Sequence, residues 1–281
     1  MPMRSFSQAD EGEDIIERKP PEAWTWSHDI EPDQIDSLIM PGWRLMRLSS
    51  YGKDNQRRFA ALVFKAPGPE RSYALDLDAA AIEDRLRETA IRPVAVTVNP
   101  DGLKPSFSLV LQNGPEPQPL SSFHADLDEA GVRALLDGRQ GIADFVTYIV
   151  DGVRKYAVIL EEQSGPSWWF THVTARELDA QLAELGANPL RVRAYVEGGQ
   201  PWFAAVVEQS SVDKWAWYAD LDADAVASKL DRNNAYPFDL DAARRTRGSL
   251  YGRDVSRQTV TDMEQGDLIS FQSEPWNMRP M

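Results

Sequence analysis

One short pattern, present five times, constrains this chain more than any other feature. An aromatic residue is followed four positions later by an aliphatic anchor. Further aliphatics fall five and nine positions past that anchor. The copies are Trp26/Ile30/Ile35/Ile39, Tyr73/Leu77/Ile82/Leu86, Phe123/Leu127/Val132/Leu136, Trp169/Val173/Leu178/Leu182 and Trp217/Leu221/Val226/Leu230. Anchors at 30, 77, 127, 173 and 221 recur every 48 residues or so, roughly the period of repeat architectures. A unit of that size cannot bury its own apolar face, so the copies are expected to pack on one another in a single domain.

Each copy reads as strand, strand, strand, helix. The second strands are centred on Phe59, Phe107, Tyr156 and Phe203, in β-branched and aromatic segments with alternating polarity. The helices open at Asp78, Asp128, Thr174 and Asp222, all good N-cap types, and Thr174 with Glu177 has capping-box spacing. Aliphatics five and nine past the anchor lie on one helix face and lay a stripe on the sheet.

The chain opens with half a copy, WTWSHDI (residues 24–30), followed by a helix over about 32–40. It closes with what reads as the other half. Residues 44–57 and 244–257 share Arg44/Arg244, Arg47/Arg247, Ser49/Ser249, Tyr51/Tyr251, Gly52/Gly252, Asp54/Asp254 and Arg57/Arg257. The expected fold is an α+β repeat protein of five β-β-β-α units in a closed, propeller-like ring. In it the N-terminal strand and helix complete the C-terminal hairpin unit, leaving no open sheet edge. Residues 1–22 read as a disordered acidic tail, 23–272 as the ring and 273–281 as a second tail. Residues 236–243 stand in excess before the last hairpin, as either a loop or a shifted strand boundary.

Gly42-Trp43-Arg44, the Tyr51-Gly52 turn and Arg58-Phe59-Ala60-Ala61-Leu62-Val63-Phe64 resemble the bacterial tandem repeat in the N-terminal region of polyglycine hydrolases. The resemblance extends over nearly the whole chain, with all three elements together in the first unit. In those hydrolases the chemistry resembles a serine β-lactamase and sits in a separate C-terminal domain. The repeats leave no room for such a domain here, so the resemblance implies a binding or scaffolding role.

Composition narrows the partners. A net charge of −14 disfavours nucleic acid, which needs a basic patch, and favours another protein, either basic overall or with an acidic segment for a local basic patch. The absence of cysteine removes disulfides, thiolate nucleophiles and cysteine-ligated zinc. No apolar run reaches the ~18 residues of a membrane span, and no signal-peptide core is present at the N-terminus, so no membrane partner and a cytoplasmic location are expected.

Few residues suggest chemistry. Ser211-Val212-Asp213-Lys214 spells S-x-x-K, but in a turn rather than at a helix start. His28, His124 and His172 precede their anchors by one or two positions, and Asp29, Asp76, Asp126 and Asp220 share the slot of His172. These describe either a polar ring able to hold a metal or small ligand, or carboxylates placed for the next helix dipole. The repeated Asp-Leu-Asp at 76–78, 126–128 and 220–222 suits capping better than paired-carboxylate catalysis. Trp26 and Trp217 are candidate binding aromatics, or core. Arg44, Arg47, Arg57, Arg244, Arg247 and Arg257, with Tyr51 and Tyr251, form a candidate basic patch, or pair internally with Asp and Glu. The expectation is a non-enzymatic recognition protein without cofactor or metal, an immunity or adaptor protein for example. The alternative is a hydrolase-like or ligand-binding protein with a central Asp/His pocket.

Overall fold

The computed structural model describes residues 20–52, 57–87, 91–99, 104–114, 121–136, 138–163, 165–209, 215–244 and 267–275. Unit one contains β1 (Ala23–Ile30), a 3-10 helix (Pro32–Leu38), β2 (Trp43–Tyr51) and β3 (Arg58–Lys65). Unit two has β4 (Arg71–Leu77), α1 (Ala79–Leu86), β5 (Ile91–Asn99) and β6 (Ser106–Asn113). Unit three has β7 (Ser122–Leu127), α2 (Glu129–Leu135), β8 (Gln140–Val150) and β9 (Val153–Glu162). Unit four has β10 (Ser167–Val173), α3 (Ala175–Leu185), β11 (Asn188–Glu197) and β12 (Gln200–Glu208). Unit five has β13 (Ala216–Leu221), α4 (Ala223–Asn233), β14 (Ala235–Arg244) and β15 (Asp267–Pro275).

This order corrects the expected fold. The molecule is mostly β, and its unit is strand, helix, hairpin rather than β-β-β-α. Each unit forms its own three-stranded antiparallel sheet, with its first strand on the third and the third on the second. None of these sheets closes or continues into another by strand pairing. The N-terminal strand does not complete the C-terminal hairpin, because β1 pairs with β3 of its own unit, Trp26 opposite Leu62. β13 takes the same place beside β15. Residues 236–243 belong to β14, so the shifted boundary is the correct reading. Arg244 therefore ends a second strand, whereas Arg44 lies near the start of one.

Local chemistry explains why each unit folds alike. Asp78, Asp128, Thr174 and Asp222 each accept a hydrogen bond from the backbone N–H three residues on, and Thr174 and Glu177 form the capping box. The helix stripe is buried through Ile35, Ile82, Val132, Leu178 and Val226, each contributing about 1.5–3 kcal/mol of apolar burial. Every first strand carries a bulge before its anchor, and in four of them the residue there is left-handed: Asp29, Asp76, Asp126 and Asp220, with φ of 57°, 60°, 59° and 58°. Asp tolerates that conformation better than most residues with a Cβ. The backbone thus supplies a structural reason for the recurrent Asp.

The repeated aromatics join units. Phe123 packs edge-on against Phe107 of the unit before it at 5.5 Å, Trp169 against Tyr156 at 5.2 Å, and Trp217 against Phe203 at 5.4 Å. Mixed apolar clusters fill the junctions of successive units, and Trp24 and Trp26 pack with Leu230 and Leu240 of unit five.

A second set of contacts runs between the second strands. Each is an edge strand of its sheet, so one row of its backbone groups has no partner strand. A side chain from a neighbouring second strand meets that row at every junction. The Ser50 N–H donates to Thr97 Oγ1 at 2.9 Å, and the Val96 N–H to Asp144 Oδ2 at 2.9 Å. Arg193 Nε donates to the Phe145 carbonyl at 3.0 Å. The Ala194 N–H donates to Asp241 Oδ2 at 3.3 Å, and the Ala242 N–H to Ser49 Oγ at 2.9 Å.

Three arginines and three aspartates gather there. Arg193 spans Asp239 at 2.7 Å and Asp144 at 2.5 Å, Arg47 lies 3.3 Å from Asp239, and Arg191 lies 3.5 Å from Asp144. Burial opposes ionisation of Asp239, but Arg193, Arg191 and Arg47 prevail and hold its carboxyl at about 2. Burial pushes Asp241 up to about 6, helped by Asp239 and opposed by Arg193 and the hydrogen bonds from Ala194 and Ser49.

Two predictions follow from this framework. Asp126→Gly should leave stability within about 0.5 kcal/mol, whereas Asp126→Val should cost about 1–2 kcal/mol, measured by urea denaturation. Because folded Asp241 holds its proton more tightly than unfolded chain, its contribution to stability is present at pH 4 and lost as pH rises through 6. Asp241→Asn should remove that decline, on the order of 1–3 kcal/mol between pH 4 and 7, in denaturation curves compared across pH.

Candidate interaction surface

The hairpins of units three and four end side by side. Asp151-Gly152, with φ of 49° and 76°, closes β8–β9, and Gly198-Gly199, at 59° and 75°, closes β11–β12. Positive φ at both central positions is the turn that matches strand twist. Arg154 ties the two together: its Nη2 lies 2.9 Å from Glu197 Oε2, its Nη1 donates to Thr147 Oγ1 at 3.1 Å, and its guanidinium lies 3.5 Å above the Tyr195 ring.

His172 continues this cluster. It occupies the slot that Asp holds in the other four units, without their left-handed backbone. Its Nδ1 is 2.8 Å from the Tyr195 hydroxyl, which itself donates to the Thr171 carbonyl at 2.6 Å. The consistent assignment has Nδ1–H donating to the phenol oxygen, which leaves Nε2 as an outward acceptor in the neutral ring. Trp202 stacks on the imidazole at 3.6 Å. Thr171 Oγ1 donates to Glu129, whose carboxyl is lowered: burial opposes this, but the hydrogen bonds from Arg133 and Thr171 outweigh it. Burial, together with Tyr156, Glu197 and Glu129 and against Arg154, pushes the Tyr195 phenol up to about 12. Tyr195 is therefore a neutral hydrogen-bonding group at physiological pH and no phenolate.

Apolar side chains flank this polar network. Ile149 and Val153, either side of the β8–β9 turn, are 57% and 53% exposed, and Met40 is the other strongly exposed large hydrophobic among the described residues. Ile149 pairs with Arg154 and so shares its face of the hairpin, whereas Val153 pairs with Val150 on the other face.

Other candidates have structural places. Arg44 is buried, donates to the Pro69 carbonyl at 2.9 Å and to Gln112 at 3.1 Å, and packs under Gly68. Arg47 belongs to the inner charge cluster. The Tyr51 hydroxyl accepts from the Asp29 N–H at 2.8 Å, and Arg57 pairs with Asp76. Trp26 stacks on His28 while packing between units five and one, and Trp217 donates from Nε1 to Asp179 at 2.9 Å. The side chain of Arg244 and all of Ser211–Lys214, Arg247, Tyr251 and Arg257 lie outside the described residues. Arg44 and Arg47 thus face inward, not onto a shared surface patch. His28, His124 and His172 keep separate local partners, and among the described residues no three His, Asp or Glu could hold a metal ion. The interior Asp side chains meet Arg instead of His. No described helix is long and apolar enough to cross a membrane, which says nothing of strands.

The sequence singles out His172 only as one of three histidines and does not single out Trp202, Arg154, Glu197, Ile149 or Val153. The available signal was the Asp151-Gly152 turn between two apolar residues.

Comparison with known families now gives the repeat a name. Residues 23–65 match a family described as polyglycine hydrolase-like, structural repeat. The matched segment starts at the first residue of β1 and stops at the last of β3, so the family repeat is the strand-helix-hairpin unit seen here. No curated protein matches the chain.

Tyr195→Phe should remove the hydroxyl bonds to Thr171 and His172, cost about 1 kcal/mol in denaturation and raise hydrogen exchange at β10 without unfolding the unit.

Proposed function

We propose that this chain is a recognition protein, a scaffold of structural repeats that docks another protein on the hairpin ends of units three and four. The exposed Ile149, on the Arg154 face of its hairpin, and the Trp202–His172 stack, on the Tyr195 face of the next, carry this reading. They supply apolar contact area next to Arg154 and Glu197, the mixture of aromatic, apolar and charged groups that concentrates binding energy. The match to a structural repeat supports a scaffold. The net charge of −14 suits a partner that is basic overall, as an immunity or adaptor protein would meet, and steers its approach at low salt.

The test is affinity capture from the source cells with the wild-type chain and with Ile149→Asp/Trp202→Ala. One stoichiometric partner should be retained by the wild type, and its affinity for the purified double variant should fall at least about tenfold while the melting temperature holds. Undiminished affinity in the double variant overturns the surface. Absence of any stoichiometric partner overturns protein recognition.

A further inference from the structure

The repeat exposes a paired substitution in unit four. Tyr51, Tyr148 and Tyr195 hold one register position near the end of the second strand, and directly across from them stand Arg58, Lys155 and Trp202. In the first three units this corner receives a cation from within the molecule. Arg58 lies 3.3 Å from Asp29 and 2.9 Å from Glu31, and Lys155 Nζ donates to the Asp126 carbonyl at 3.4 Å. Unit two has Asn99 opposite Ser106, and Arg57 of unit one supplies the cation on Asp76. Unit four changes both members, with Trp202 in the place of the cation and His172 in the place of the Asp.

The exchange leaves an aromatic ring beside a carboxylate with an oxygen to spare. Trp202 is half-buried and joins none of the apolar clusters; the His172 stack is its one ring, cation or hydrogen-bond contact among the described residues. Glu197, two past Tyr195, shares the face of Trp202 and stands diagonal to it, a spacing that aromatic and long side chains bridge. Its side chain is 55% exposed, Oε2 holds Arg154 at 2.9 Å, and Oε1 accepts no hydrogen bond among the described residues. Glu177 stands within electrostatic reach of His172 and has no salt-bridge partner among the described residues, so the locality lacks a cation even with Arg154 in place. The molecule itself shows what such a pair takes: the Arg154 guanidinium lies 3.5 Å above the Tyr195 ring while it bonds to Glu197.

We propose that the hairpin of unit four seats an arginine side chain of the docked partner, its guanidinium flat on the Trp202 face away from His172 and donating to Glu197 Oε1. The inference rests on the docking surface proposed above and names the group that the partner brings to it. A planar guanidinium stacks and donates in its own plane at once, whereas a lysine ammonium is a compact, strongly hydrated charge, so arginine is preferred.

The probes are N-acetylarginine methylamide, its lysine counterpart and its citrulline counterpart, which keeps the planar head group without the charge. Each is titrated into the full chain and its affinity read by ligand-observed NMR, alongside the Trp202 indole N–H signal, assigned by its loss in Trp202→Leu. The arginine compound should bind with an affinity on the order of 1 mM, the lysine compound several-fold and the citrulline compound at least about tenfold more weakly. Trp202→Leu keeps apolar bulk without the ring face and should abolish binding. Glu197→Gln keeps an acceptor for Arg154, removes the charge and should weaken the arginine compound several-fold. Should Trp202→Leu disturb the fold, Glu197→Gln decides alone. Absence of arginine binding, equal binding of the citrulline compound, or undiminished binding in Glu197→Gln overturns the proposal. If Ile149→Asp/Trp202→Ala loses the captured partner while the arginine compound does not bind, the arginine seat falls and the docking surface stands. If the arginine compound binds as expected and capture finds no partner, protein recognition falls and the seat stands.

Discussion

Every second strand in this molecule has an edge that no other strand covers, and the architecture depends on how those edges are satisfied. Buried N–H and C=O groups need partners. In an extended sheet a neighbouring strand would provide them, but these sheets stop at three strands. Side chains do the work instead, one at each junction: Thr97, Asp144, Arg193, Asp241 and Ser49. A bulge recurs at the same place in all five second strands, after Leu45, Pro93, Ile142, Pro189 and Pro237. Bulges re-aim the side chains that follow them. The residues that reach across are the first and third past the bulged one, on the side that faces the neighbouring unit.

Repetition turns the molecule into its own control. Where the units agree, the cause is the fold: a left-handed Asp in four of the five first-strand bulges, an N-cap before the helix, an aromatic against the preceding unit. Where one unit departs, the fold does not require the change. Unit four replaces the left-handed Asp with His172, and the surrounding bonds reorganise: Tyr51 and Tyr148 accept from the N–H of that slot, whereas Tyr195 donates to a carbonyl and meets the imidazole. Unit three has Arg133, 5.3 Å over the Trp169 ring, where unit four has Asp179 accepting from Trp217. Both departures fall on the junction of units three and four, which also carries Ile149.

Much of this was legible in the sequence, for identifiable reasons. The anchors, the helix stripe and the N-caps are local or strictly periodic, and Asp78, Asp128, Thr174 and Asp222 cap as their residue types require. The phase of the repeat was not legible, because a periodic pattern looks the same wherever it is cut. Only the pairing of β1 with β3 shows that the unit begins with the first strand. Identity also misled: residues 244–257 match 44–57 closely, yet the second strand of unit five is Ala235–Arg244, with Tyr236 deep in the core. Of the inner charges the sequence singles out only Arg47, with internal pairing to Asp or Glu as one reading; the rest are spread over units three, four and five, and nothing in a linear pattern brings Arg47 to Asp239 or Arg193 to Asp144. The same holds for the site, where Arg154 and Glu197 meet only because two hairpins lie abreast.

The inner Arg and Asp residues raise a question of selection over apolar packing, since a buried ion-pair network replaced by well-packed hydrophobics is often as stable or more so. Specificity supplies the answer. The apolar clusters between units are chemically similar, a mixture of Ile, Leu, Val and aromatic contacts at every junction, and would accept units in several orders. The polar contacts are of three kinds. Thr97 and Ser49 accept as hydroxyls, Asp144 and Asp241 as carboxylates, and Arg193 alone donates. Setting unit four beside unit two would bring Arg193 to a backbone N–H that needs an acceptor and would strip Asp144 and Asp239 of their shared cation. Leaving one such charge buried without its partner costs about 3–5 kcal/mol, more than any junction could recover from a slightly better apolar fit. Hydrophobic contacts thus hold the units together, and the dissimilar polar contacts determine which unit stands next to which.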